Sequence, residues 1–356
     1  MTKSSTLPST EHSTDRSLLK LGWNEEFATR LAAMPNIQDD SSNNVGRVLS
    51  VGRKSFLVSN GRTEWLCTVA GKMLRGADHL HPVTGDWVLV ANTVITDVIP
   101  RNNTLARGEA GSHKRRSGQP CREQSIAANL DAVFIVSGLD QDFNVRRIER
   151  ALTLVYNCHL TPVIVLTKAD LHDDPERFRD EIKKVAADVV VVLSSMYDDK
   201  GWSELANYLG SGRTIAMLGT SGAGKSTLAN LLYGGEIQAT GAVSDAVGKG
   251  RHTTTKREMI LMPQGGLLMD SPGIREIAFS KEGEGVESTF SDILALAENC
   301  RFADCTHVHE PDCAVARAIE TGKIPRDRLE SYHKMKNELE SLAKQRKQRG
   351  GRRSTR

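Results

Sequence analysis

Hydrophobic and polar positions divide the chain into six stretches. Residues 1–20 are polar and rich in Ser and Thr without any period, which predicts disorder. A helical segment is expected around Trp23–Ala33, and Gln38–Asn44 reads as a linker, so that 1–44 forms a disordered or short helical N-terminal extension. From Val45 to Leu105 the pattern becomes short β-rich runs: Gly46–Val51, Ser55–Val58, Glu64–Val69, Asp86–Val90 and Val94–Ile99. Asn60-Gly61 and Gly85-Asp86 supply turns between them. Short strands at this spacing predict a closed β-barrel of the OB type over 45–105. Such barrels often bind oligonucleotides, but the fold alone does not assign that use. Phe56, Trp65 and Trp87 suit core packing as well as base stacking.

Residues 106–125 form a glycine-containing basic stretch, read as a linker whose Lys114, Arg115 and Arg116 could meet nucleic-acid phosphate. Regular α/β alternation follows. Apolar strands are expected at Asp131–Val136, Pro162–Thr167, Val189–Leu193, Thr214–Leu218, Glu258–Met262 and Gly266–Met269. Between the first two, Val145, Ile148, Leu152 and Val155 recur at helical spacing. Alternation of this kind predicts a mostly parallel sheet with helices on both faces, so 126–280 reads as one nucleotide-binding α/β domain. Residues 281–345 are helical in pattern, with Ala314–Glu320 and Arg326–Lys344 as the clearest segments, and 346–356 is a basic tail.

The α/β region carries the chemistry. After the run Thr214–Leu218 comes Gly219-Thr220-Ser221-Gly222-Ala223-Gly224-Lys225-Ser226-Thr227, a G-x-x-x-x-G-K-S loop opening a helix. Its backbone N–H groups and the helix dipole suit phosphate oxygens, Lys225 suits the β- and γ-phosphates, and Ser226 suits magnesium. The strand Pro162–Thr167 ends in Thr167-Lys168-Ala169-Asp170. Asp170 can accept from the N1–H and exocyclic amine of guanine, whereas adenine would leave that carboxylate unpaired, at a large cost. Lys168 can lay its stem over the ring. Thr167 stands where Asn is commoner, and its hydroxyl only partly replaces an amide. Ser194 and Ser195, at the next strand end, border the base. Asp270-Ser-Pro-Gly273 ends a later strand, where Asp270 suits magnesium and Gly273 the γ-phosphate; Thr254 and Thr255, in the loop Gly250–Thr255, are further magnesium candidates. The base-reading motif precedes the phosphate loop, the reverse of the Ras-like order, so the domain is circularly permuted. Because DSPG runs straight on into the C-terminal region, nucleotide state is expected to alter the docking of 280–356.

Composition adds limits and one further site. The chain has 356 residues, 39% apolar and 26% charged, which fits an ordinary folded protein of several domains. The N-terminus has no signal-peptide core and no run is long and apolar enough for a membrane span, so a cytoplasmic location is expected, without membrane partners. Six cysteines do not make a disulfide scaffold, but three of them fall in Cys300-x4-Cys305-x-His307-x5-Cys313. Four soft ligands at this spacing suit a closed, structural zinc site, with His309 as the rival to His307. Lys347, Arg349, Arg352 and Arg353 suit an RNA-binding arm.

The joint occurrence of TKAD, GTSGAGKST, GRHTTT, DSPGIRE and the C-x4-C-x-H-x5-C cluster over 45–345 closely resembles the circularly permuted GTPases that assist late maturation of the bacterial small ribosomal subunit, the RsgA/YjeQ family. The resemblance implies slow GTP hydrolysis stimulated by the 30S subunit, with GTP/GDP, Mg2+ and one structural Zn2+ as cofactors. It also implies contact with 16S rRNA through barrel and zinc domains, with other subunit assembly factors as further partners, and a monomer. It carries the zinc ligands onto Cys300, Cys305, His307 and Cys313. Ile274 occupies the position after DxxG where Ras-like proteins place a water-orienting glutamine, so intrinsic hydrolysis should be slow. His252 is then the candidate for orienting that water, with Lys225 and Thr254 as the other catalytic candidates. Two other classes compete: a P-loop ATPase or kinase, which TKAD opposes, and an RNA-binding zinc protein with nucleotide as a static cofactor.

Overall fold

A computed structural model describes residues 16–34, 44–71, 73, 80–108, 123–141, 143–197, 199–237, 258–270 and 285–350. Strands β1 (Asn44–Val51), β2 (Phe56–Ser59), β3 (Glu64–Val69), β4 (Trp87–Ala91) and β5 (Val94–Val98) close into the expected barrel. The ladder runs β1–β2–β3–β5–β4 and returns from β4 to β1, with a register shift in β1 between Val48 and Ser50 that bends the strand. One set of side chains, including Val48, Phe56, Val58, Cys67, Val88, Val90 and Ile95, fills the interior. The alternate set, including Val45, Leu49, Leu57, Trp87 and Leu89, faces outward yet is also buried.

The cover over that outer face comes from the N-terminal segment. Helices α1 (Arg16–Lys20) and α2 (Glu25–Ala32) place Leu18, Leu21, Trp23, Phe27 and Leu31 in the same core as the barrel's outward residues. Trp23 meets Trp87 edge to face at 4.9 Å. The reading of 1–20 as disordered is therefore wrong for 16–20, where Leu18 is only 3% exposed. Buried Arg47 ties the pieces together by donating to the carbonyls of Leu21, Gly85 (3.2 Å) and Asn129 (2.9 Å). The stretch read as a linker over 106–125 is also structured at its ends. Strands β6 (Thr104–Gly108) and β7 (Glu123–Ala128) pair as an antiparallel ribbon, and Lys114, Arg115 and Arg116 lie outside the described residues.

Beyond it, strands β8 (Ala132–Gly138), β9 (Thr161–Thr167), β10 (Val190–Leu193), β11 (Thr214–Leu218), β12 (Glu258–Leu261) and β13 (Leu267–Asp270) form one sheet in the order β10-β9-β8-β11-β13-β12. All neighbours are parallel except β12, which runs antiparallel to β13. The strands are near-continuous apolar runs because helices cover both faces. These helices are α3 (Val145–Asn157), α4 (Glu176–Lys183), α5 (Asp199–Ala206) and α6 (Lys225–Tyr233). Edge strand β12 meets β1 of the barrel at Glu258–Ser50, so the two sheets are continuous and neither presents that edge.

The C-terminal module comprises α7 (Gly285–Thr289), α8 (Ser291–Ala297), α9 (Ala314–Glu320) and α10 (Arg326–Gly350). It has its own core around Phe290, Ile293, Val315, Ile324, Tyr332 and Met335. Helix α10 reaches Gly350, so the first part of the stretch read as a tail arm (346–350) has helical backbone. No described helix is long and apolar enough to cross a membrane.

Candidate nucleotide site and metal centre

The permuted site lies where β11, β9 and β10 end, the usual place for ligands on a parallel sheet. Strand β11 delivers the phosphate loop against β8. A Cβ on Gly219 would lie 2.3 Å from the Val136 carbonyl oxygen, so only glycine lets the chain leave the strand there. Gly224 adopts φ +89 as the N-cap of α6, which turns the loop into the helix. Lys225 folds back over the loop and donates from Nζ to the carbonyls of Gly219 (2.9 Å) and Thr220 (2.7 Å). It is 8% exposed, which holds its charge inside the curl of backbone that a phosphate would enter. Ser226 and Thr227 are exposed on the first turn of α6, Ser221 is exposed in the loop and Ala223 is buried beneath it. Gly222 has φ +85.

The T-K-x-D loop touches the G-x-x-x-x-G-K-S loop directly. Thr167 Oγ1, at the end of β9, donates to the carbonyl oxygen of Ala223 at 2.6 Å. A Cβ on Gly224 would stand 3.1 Å from the same hydroxyl. Lys168 takes a left-handed φ of +60, and Ala169–Leu171 form a 3-10 turn. Asp170 Oδ1 accepts from Ser195 Oγ at 2.7 Å, and Ser195 Oγ accepts in turn from the Tyr197 N–H at 3.1 Å. Ala169 N–H donates to the Ser194 carbonyl at 3.2 Å, and Ser194 N–H to Leu166 at 2.8 Å. Thr167, Lys168, Ala169, Asp170, Ser194 and Ser195 are thus one bonded unit across two strand ends, joined through Ala223 to the loop that ends in Lys225.

Strand β13 brings the backbone of Asp270 beside Met217 of β11, next to the phosphate loop. The Asp270 side chain, Gly273, His252, Thr254 and Thr255 lie outside the described residues, as do Arg352, Arg353 and the side chains of Lys347 and Arg349. Two contacts of the base loop had no signal in the sequence. The Lys168 ammonium pairs with the carboxylate of Asp140, and His172 Nε2 lies 2.7 Å from the Leu139 carbonyl oxygen.

In the C-terminal module the donor atoms of Cys300, Cys305, His307 and Cys313 all lie within 4.8 Å of one another, a group that does not include His309. Cys300 Sγ is 3.9 Å from Cys313 Sγ and 3.6 Å from His307 Nδ1, and Cys313 Sγ is 3.5 Å from that nitrogen. A tetrahedron with bonds of about 2.0–2.3 Å has edges of roughly 3.4–3.8 Å, so these three spacings and the soft donor set fit zinc. His307 reaches this position through a left-handed φ of +63. Glu310 braces the turn by accepting from the backbone N–H groups of Thr306 (2.8 Å), Val308 (3.1 Å) and His309 (3.1 Å). The Thr306 hydroxyl, which donates to the same carboxylate, and then these backbone bonds hold the Glu310 carboxyl well below the usual range.

The module is fastened to α3 by charge. Glu149, fully buried on α3, accepts from Arg146 (3.0 Å to each oxygen), Arg328 (2.7 Å) and Ser331 (2.6 Å). Arg328, 1% exposed, also binds both carboxylate oxygens of Asp292 at 2.7 Å and the Thr289 carbonyl at 2.9 Å. Arg150 pairs with Glu338, and Thr153 Oγ1 lies 2.9 Å from Thr289 Oγ1.

A parallel sheet that joins a phosphate loop to a T-K-x-D loop written ahead of it defines a circularly permuted P-loop GTPase. The family model described as "RsgA GTPase" matches residues 98–280, and one described as "50S ribosome-binding GTPase" matches 214–347. A Methanosarcina acetivorans protein named "Small ribosomal subunit biogenesis GTPase RsgA" is 40% identical over 329 residues, 91% of this chain and 85% of its own. A Vibrio parahaemolyticus protein named "Small ribosomal subunit biogenesis GTPase RsgA 2" is 39% identical over 98% of this chain and 94% of its own. The crystal structure of YjeQ from Thermotoga maritima, 28% identical, superposes with a TM-score of 0.58 over 83% of this chain and 98% of that one. The chain belongs to the RsgA GTPase family.

Proposed function

We propose that this protein hydrolyses GTP to GDP and phosphate while bound to the small ribosomal subunit, and so assists a late step of that subunit's maturation. The observation that carries the reading is the 2.6 Å bond from Thr167 to Ala223, which brings the T-K-x-D loop against the G-x-x-x-x-G-K-S loop, as a guanine nucleotide bound by both would require. Asp170 and Lys168 select the base, flanked by Thr167, Ala169, Ser194 and Ser195. The backbone of 219–224, with Lys225, Ser226 and Thr227, holds the phosphates. Ser226, Asp270 and a threonine of the pair Thr254 and Thr255 would hold magnesium, which would offset phosphate charge, and Gly273 is assigned to the γ-phosphate. His252 orients the attacking water, since Ile274 cannot.

Cys300, Cys305, His307 and Cys313 would hold zinc, which would have a structural role in the turn that leads into α9. The barrel over 45–105, the basic residues Lys114, Arg115 and Arg116, and the C-terminal Lys347, Arg349, Arg352 and Arg353 supply 16S rRNA contacts. The protein works as a cytoplasmic monomer. The deciding experiment is GTP turnover with and without purified small subunits, with ATP as competitor. Stimulated, ATP-insensitive turnover is expected; no turnover with subunits present would leave a static nucleotide, and competition by ATP would remove the guanine assignment. Single-turnover hydrolysis by His252→Ala tests the histidine: stimulation that is undiminished eliminates its role.

A further inference from the structure

The loop that follows β8 brackets the guanine-reading loop, and we infer that Asp140 is a positioning residue for guanine nucleotide, acting through Lys168. The inference rests on the reading of Thr167–Asp170 as the guanine loop. Three contacts build the bracket. Leu139 N–H donates to the Thr167 carbonyl at 2.9 Å, and His172 Nε2 meets the Leu139 carbonyl at 2.7 Å, so the loop is tied on both sides of Lys168. Between those ties the Asp140 carboxylate takes the Lys168 ammonium.

Asp140 is itself set by packing. A Cβ on Gly138 would lie 3.4 Å from its Cγ and both carboxylate oxygens, so the carboxylate folds back over the last residue of β8. The side chains of Lys168 and Asp140 are 35% and 29% exposed, a pair at the rim of the site rather than in bulk water.

The chemistry asks for such a partner. A lysine stem that packs flat on a purine must hold one course, whereas a free lysine carries rotamer entropy of about 2 kcal/mol that binding would have to remove. Lys168 sits at a left-handed φ of +60, and the anion at the far end of its side chain selects the direction of the stem. The carboxylate therefore supplies order before the nucleotide arrives. Its partner, Lys168, belongs to the base-reading end of the site, so its effect should be the same for GDP and GTP and absent from the chemical step.

The test is a double-mutant cycle on the full chain, reading GDP and GTP affinities by fluorescent-nucleotide titration. Asp140→Asn keeps the shape and removes the charge. It should weaken both nucleotides by roughly two- to fivefold, the scale of one half-exposed ion pair, with single-turnover hydrolysis unchanged. Lys168→Met keeps the aliphatic stem and removes the cation, and on that background Asp140→Asn should change nothing. An equal loss on both backgrounds would show a general structural effect and overturn the inference. So would unchanged or tighter binding by Asp140→Asn, the latter meaning that the carboxylate competes for the lysine. A melting curve matching the parent's separates these results from misfolding, and Asp140→Glu, which restores the charge, should recover binding. A parent chain that prefers ADP to GDP would sink the guanine reading itself, independently of the cycle.

Discussion

Removing the Glu149 carboxylate with Glu149→Ala should release the C-terminal module from the nucleotide-binding domain without unfolding either. The carboxylate accepts four hydrogen bonds, from Arg146, Arg328 and Ser331, all across or beside the junction of α3 with α10. Glu149 is fully buried and Arg328 is 1% exposed, so neither can turn to water when its partner goes. Breaking a buried pair of this kind costs about 3–5 kcal/mol, because a charge is left without its counterion. Arg328 still keeps both oxygens of Asp292, which places the expected loss near the low end, about 3 kcal/mol. At 1.4 kcal/mol per factor of ten, that is roughly a hundredfold in the opening equilibrium of the interface. Native-state hydrogen exchange should show this factor at the amides of 285–297 and 326–341, with barrel amides unmoved. Arg328→Met should cost a similar amount, and the double variant should cost much less than the sum. Additive losses, or a change below threefold at those amides, would refute the view that this network carries the docking.

Three further outcomes follow from the geometry. Chelation of zinc at neutral pH should melt 285–341 and leave the parallel sheet folded, and metal analysis should find zinc lost in His307→Ala but retained in His309→Ala, because only His307 stands with the cysteines. Thr167→Val removes the hydroxyl that ties the two loops and should weaken GDP and GTP alike by about 1 kcal/mol, roughly fivefold, in a titration; unchanged affinity would mean the tie is idle. Burial raises the Cys67 thiol to about 11. A folded-state value above the unfolded one means stability is intact below pH 9 and declines as pH rises toward 11, so denaturation midpoints of the parent should fall over that window more steeply than those of Cys67→Ala.

How much of this was legible in the sequence differs by the kind of signal. The barrel strands and the parallel strands stood out because each is an apolar run bounded by turn residues, and the observed ends differ by only a residue or two. Arg16–Lys20 was missed because five residues are too few to show a helical period, and what stabilises them is Leu18 packing beneath a barrel that lies far along the chain. The ribbon of Thr104–Gly108 with Glu123–Ala128 was missed for a related reason: its partner strand, Glu-Gln-Ser-Ile-Ala-Ala, looks like loop until the pairing supplies its bonds. The loop over 219–227 and the cluster of Cys300, Cys305, His307 and Cys313 could be singled out because each falls within one short stretch of sequence. Asp140 and Glu149 could not, since a single acid in a loop or on a helix carries no period, and only the fold shows which cation it meets.

The same contacts bear on how nucleotide state could move the module. Helix α3 is capped by Asn144, a few residues after Asp140, and Ile148 and Ala151 on its first turns line a small cavity together with Leu218, Gly219 and Thr220 of the phosphate loop. Its far end receives the module, where Gly285 N–H donates to Asn157 Oδ1 at 3.0 Å. One helix therefore starts close after Asp140, lies beside the phosphate loop and carries the C-terminal module, while the chain after Asp270 leads on to that module covalently. A hinge between α3 and the module would have to pull Glu149 and Arg328 apart in the absence of water, at the cost worked out above. Any nucleotide-dependent displacement should accordingly move α3 and the module together, relative to the barrel. Paired spin labels offer the check: a pair on α3 and α10 should report one distance with GDP and with a non-hydrolysable GTP analogue, while a pair on α10 and the barrel strand β3 should report two. A change within the first pair would mean that the junction opens during the cycle, and that this network is a switch rather than a clamp.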